Sequence, residues 1–153
     1  VPGRAPGEFL LGKLDELRNR HARFSDHASN LEPNLKDSPG GLRDLQTLAW
    51  VAQRCYGDGS LATLRRVHLL EPAEARRLRE AAERLVRMRY ALHRLAGRKQ
   101  ERVVFDLQPR LAESLGVRPS VDAPHAVETL MQGYFRSARV VSTISQRVLE
   151  RLR

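Results

Sequence analysis

The chain has 153 residues, of which 41% are hydrophobic and 29% charged, enough apolar material for one domain with a real core and too much for global disorder. Its 27 basic and 18 acidic residues give a net charge of +9, which raises a polyanion as a partner, yet the arginines interleave with glutamates along helical stretches. The few aromatic residues able to stack bases argue against nucleic acid as that partner. No apolar run approaches the roughly 20 residues of a membrane span.

In chain order, residues 8–23 predict a first helix, with Phe9, Leu10, Leu14 and Leu17 along one side. Residues 24–41 read as irregular, with a short extended piece near 31–36. A second helix is expected from Leu42 to Tyr56, its apolar stripe Leu42, Leu45, Ala49, Ala52 and Tyr56, with Trp50 at the flank. Gly57-Asp58-Gly59 ends it, and Ser60 is placed to cap a short helix over 61–67.

A long fourth helix follows over 72–97. Pro72 suits its first turn, Glu74 complements its positive end, and Gly97 sits where a C′ residue belongs. Its stripe is Leu78, Ala82, Leu85, Arg89, Leu92 and Ala96, interrupted by one arginine and widened by Ala81, Val86 and Leu95. Residues 101–105 can extend but are too few for a sheet. Asp106 is expected to cap a helix over 107–115 that Gly116 ends, and Asp122 to cap the last helix, with Pro124 in its first turn. From Val127 through Met131, Tyr134, Ala138, Val141, Ser145 and Val148 to Leu152 the spacing alternates four and three; Leu130, Phe135, Ile144 and Leu149 widen the stripe beyond a coiled-coil seam. The expected fold is all-α, an antiparallel bundle of five or six helices.

The chemistry is sparse. There is no glycine-rich phosphate loop of Walker or Rossmann spacing. A Gly-Ser followed by an Asp-x-Asp pair is missing, as is a His-Asp dipeptide; Asp26-His27 reverses that order. His21, His68 and His93 read as surface or boundary residues, and no metal site is expected because no pair has i,i+4 ligand spacing. Cys55, the single cysteine, reads as a small buried residue, and a reducing cytoplasm is the simplest compartment. The chain starts without Met, so it is expected to be a piece of a longer protein.

One run stands apart: Leu31-Glu-Pro-Asn-Leu-Lys-Asp-Ser-Pro-Gly-Gly-Leu-Arg-Asp-Leu45, a proline- and glycine-rich loop of mixed charge that passes into a helix. With its continuation Gln-Thr-Leu-Ala-Trp-Val-Ala, it resembles the bacterial PII uridylyltransferase/uridylyl-removing enzymes. His21-Ala-Arg-Phe24, Arg87-Met-Arg-Tyr-Ala-Leu-His93, Val104-Phe-Asp-Leu-Gln108, Leu115-Gly116 and Met131-Gln-Gly-Tyr-Phe-Arg-Ser-Ala-Arg139 extend the match over about residues 20–150.

The resemblance implies a multidomain parent: a nucleotidyltransferase domain, a helical domain, an HD phosphohydrolase domain and two ACT domains. Residues 1–30 would end the first module and 31–153 form the second. The parent would transfer UMP from UTP to the PII signalling protein, with magnesium, and remove it again. This chain would catalyse nothing alone. Within it, Lys36 and Arg43 would face the nucleotide, with Asp44 orienting Arg43 or capping the next helix; Arg43 paired internally to Asp37 or Asp44 is the competing reading. The run is also similar to one in glutamine-synthetase adenylyltransferases, from which Asp44-Leu-Gln-Thr-Leu-Ala-Trp50 departs. A stand-alone basic helical interaction module is the alternative from another class.

Overall fold

A computed structural model describes residues 6–24 and 31–152. Among them are six α-helices: α1 (Pro6–Arg23), α2 (Leu42–Tyr56), α3 (Leu61–Arg66), α4 (Pro72–Ala96), α5 (Gln108–Ser114) and α6 (Ala126–Arg151), with a 3-10 turn at Phe105–Leu107 ahead of α5. The Asp26-His27 pair lies outside the described residues, as does part of the 1–30 segment.

Local signals set most boundaries. Gly57 and Gly97 end α2 and α4 in the left-handed region, at φ 75° and 67°. The Thr63 amide donates to the Ser60 hydroxyl (3.2 Å) at the start of α3. Two expected caps fail. The 3-10 turn and α5 start without a bond from Asp106, and α6 begins four residues beyond Asp122, with His125 as its cap position. There the chain first makes a turn, in which Ser120 and Ala123 exchange backbone hydrogen bonds and Ala123 is buried, so Pro124 precedes the helix instead of entering it.

The core is the α4–α6 pair, with α2, α5 and α1 packed around it. Glu74 at the start of α4 bonds Arg151 at the end of α6 (2.7 Å), so the two long helices run antiparallel. Leu78, Leu85, Met88 and Leu92 face Tyr134, Val141, Ile144 and Val148 in one cluster. Leu10, Leu14 and Leu17 of α1 join the same cluster. Val86 and Phe135, expected in the stripes, are substantially exposed.

The inward face of α2 is rotated from its expected stripe. Leu48, Val51 and Ala52 are buried together with Asp44 and Thr47, while Tyr56 is exposed. A charged group inside the stripe has displaced an apolar one, which hydrophobic periodicity cannot register.

The two short extended pieces meet each other. Asn34 and Arg102 form an isolated antiparallel bridge, flanked by Leu35 N–H to Glu101 O and Val103 N–H to Pro33 O, both 2.8 Å. Arg89 explains its own place in the α4 stripe: its Nε and terminal nitrogen bond both carboxylate oxygens of Glu101 at 2.7–3.1 Å. This fixes the bridge, and through it the 34–44 loop, to α4.

Candidate functional site

The loop builds itself before it meets anything else. Asn34 Oδ1 accepts from the amides of Lys36 (2.9 Å) and Asp37 (2.8 Å), and Ser38 Oγ accepts from the Asn34 amide (2.9 Å). The Leu42 and Arg43 amides then return to the carbonyls of Leu35 and Lys36, closing the loop on the first turn of α2. Gly41 sits inside it, where a Cβ would stand 2.7 Å from the carbonyl oxygens of Leu35 and Lys36. Gly40, at φ 80°, touches the backbone of α6 at Ala138.

Asp44 is the anchor. It is wholly buried in the first turn of α2 and accepts from the Gly40 amide (2.7 Å), from Arg20, and from His21 Nε2 (2.9 Å). Burial works to raise its carboxyl, but the His21 and Arg20 hydrogen bonds and charges outweigh that and hold the pKa below the usual range. His21 is therefore not a surface bystander: its ring pins α1 to the loop. Burial, with the Asp44 charge nearby, also pushes the Tyr134 hydroxyl far above the ordinary range.

The three loop residues singled out in the sequence separate in space. Asp44 points inward and holds Arg20 and His21, not Arg43. Arg43 stands at the edge of a cleft between α1 and α2, its Nε 3.4 Å from Asp37 Oδ1. That contact lacks hydrogen-bond geometry, and the buried Nε has no hydrogen-bond partner among the described residues. The guanidinium is thus ion-paired to Asp37 while its Nε makes no hydrogen bond. Lys36 is half-buried and does not line the cleft.

The cleft encloses about 700 Å³. Arg23 and Arg43 bring positive charge to it, that of Arg20 being taken up by Asp44, Glu16 and Asp37 offset part of it, and Phe24 and Trp50 add aromatic walls. Lys13 Nζ lies 4.5 Å from the Trp50 ring centre, covering one face of the indole. Among the described residues no group of three or more His, Cys, Asp or Glu side chains is placed to hold a metal ion. Arg20, Arg23, Phe24 and Trp50 were not read as site residues in the sequence; the His21-Ala-Arg-Phe24 match holds Arg23 and Phe24 and was the signal that could have found those two.

A profile of the family described as GlnD PII-uridylyltransferase matches residues 8–149. The chain belongs to this family. It is 48% identical over 145 residues to the bifunctional uridylyltransferase/uridylyl-removing enzyme of Thiobacillus denitrificans, 47% over 148 residues to that of Xanthomonas campestris pv. campestris, and 45% over 149 residues to that of Azotobacter vinelandii. These matches cover 95–97% of the chain but only 16–17% of each relative, so it spans about a sixth of their length. No solved structure gives a significant match. The Pro-Gly-Gly loop, its Asp44 anchor and the α1–α2 cleft all fall inside the region this family shares. No described helix is long and apolar enough to cross a membrane.

Proposed function

We propose that the chain is the helical domain of a cytoplasmic bifunctional uridylyltransferase/uridylyl-removing enzyme, supporting UMP transfer from UTP to the PII protein in nitrogen regulation. Residues 31–153 form that domain, and residues 1–30 lead into it from a nucleotidyltransferase module. Its partners are that module and an HD module of the same polypeptide, and PII itself. The carboxylates for metal and chemistry come from those modules, and this chain alone is inactive.

In this reading the domain contributes one wall of the nucleotide site. Arg43 supplies a planar fork matched to phosphate oxygens, Lys36 adds charge from the neighbouring turn, and Asp44 positions both through the loop. The observation that carries it is the state of Arg43: held by Asp37 at the rim of the α1–α2 cleft, with an Nε lacking a hydrogen bond.

The test is Arg43→Ala in the full-length enzyme, assayed for UTP-dependent labelling of PII. A loss of at least tenfold in kcat/KM for UTP at unchanged melting temperature is expected. Unchanged labelling rejects the role of Arg43. Turnover by the 153-residue chain with UTP, magnesium and PII rejects its inactivity.

A further inference from the structure

A second pocket lies between α4, α6 and the turn after α5, and it shares no residue with the α1–α2 cleft. Met88 and Leu130, both buried, form its floor with Val117, while Arg84 and Arg87 stand over it. It encloses about 230 Å³, smaller than the roughly 300–1,000 Å³ of ordinary ligand pockets. No carboxylate lines it; both arginines are exposed to solvent, and neither has an ion pair among the described residues.

Gly133 gives the pocket its second peculiarity. It is a buried glycine well inside α6, where glycine costs up to about 1 kcal/mol relative to alanine. A Cβ there would stand 3.3 Å from the Arg84 Cζ and collide with one of its terminal nitrogens. The missing side chain is the seat on which the Arg84 guanidinium rests. The sequence gives up helix propensity at this position, and what occupies the space is a cation without a counter-ion.

We propose that this pocket binds a small organic carboxylate with a short hydrocarbon tail. The carboxylate meets the Arg84 fork, with Arg87 adding charge, and the tail lies on Met88, Leu130 and Val117. An unpaired arginine fork selects a planar anion over a point charge, and the apolar floor selects a tail over a bare ion. The volume suits a ligand of a few carbons.

The probe is hexanoate, titrated into the 153-residue chain and followed by the amide resonances of Leu130 and Gly133. Saturable shifts centred on these residues are expected. Acetate and inorganic phosphate should bind at least fivefold more weakly, and hexylammonium should not compete. Arg84→Gln should weaken hexanoate at least fivefold. Gly133→Ala, whose methyl group displaces only the end of a flexible side chain, should do the same and decides the matter if Arg84→Gln melts early. Absence of saturation, binding of acetate or phosphate as tight as that of hexanoate, competition by hexylammonium, or an effect under fivefold in the deciding variant overturns the proposal.

Discussion

Gly40 packs against Ala138 so closely that a Cβ on the glycine would lie 2.6 Å from the Ala138 Cα and closer still to its carbonyl. Gly40 also has φ 80°, a conformation that L side chains rarely adopt. The loop after Pro39 is therefore applied directly to the backbone of α6, and the glycine is required twice over. Gly40→Ala should destabilise the protein by about 3–5 kcal/mol, combining left-handed strain with a backbone clash. Thermal melting checks it; a midpoint within 2 °C of the parent would show that the loop does not rest on α6.

Asp44 carries the second prediction. Removing its charge leaves Arg20 buried without its carboxylate, so Asp44→Ala should cost about 3–5 kcal/mol. Asp44→Asn should cost less, since it retains an acceptor for the Gly40 amide.

The same carboxyl sets an acid limit. Its folded pKa is depressed, so its stabilisation is fully present above the unfolded carboxyl value and is lost as pH falls below it, through the folded value. Glu74, lowered chiefly by the Arg151 hydrogen bond, acts in the same direction. Denaturant midpoints should therefore fall steeply below about pH 4, and less steeply in Asp44→Asn. Parallel curves for parent and variant would remove Asp44 from the account.

Arg89 and Glu101 couple α4 to the loop through the 34–102 bridge. Arg89→Gln should cost about 1–2 kcal/mol, a moderate value because the pair is partly exposed. Hydrogen exchange gives the sharper reading: the Leu35 and Val103 amides should lose roughly tenfold in protection, matching that energy. If exchange rises equally over the whole chain, the pair is a general stabiliser and no tie to the loop.

Tyr134 and Val141 lie in the α4–α6 core, almost without solvent contact. Tyr134→Ala or Val141→Ala should lower stability by about 2–4 kcal/mol. If the proposed function holds, uridylylation by the full-length enzyme should fall with the folded fraction. Normal melting with selective loss of UTP binding in Tyr134→Ala would instead make that residue part of the nucleotide site.

The sequence by itself determined the helices and most of their ends. Prolines, glycines and the Ser60 cap act through backbone stereochemistry within a few residues, so α2 and α4 can be bounded without knowing the fold. It also marked the 31–45 run as unusual. What it could not determine is which charged groups turn inward. Asp44 reads as a helix-start residue, yet its partners Arg20 and His21 are 24 and 23 positions away, and Arg89 reads as a flaw in a stripe until Glu101 is beside it. Asp122 has the right residue type for a cap but lies before a turn whose buried Ala123 delays the helix to Ala126. Only the tertiary structure decided these, because a buried charge is stabilised by partners that distant segments bring to it, and local periodicity carries no record of them.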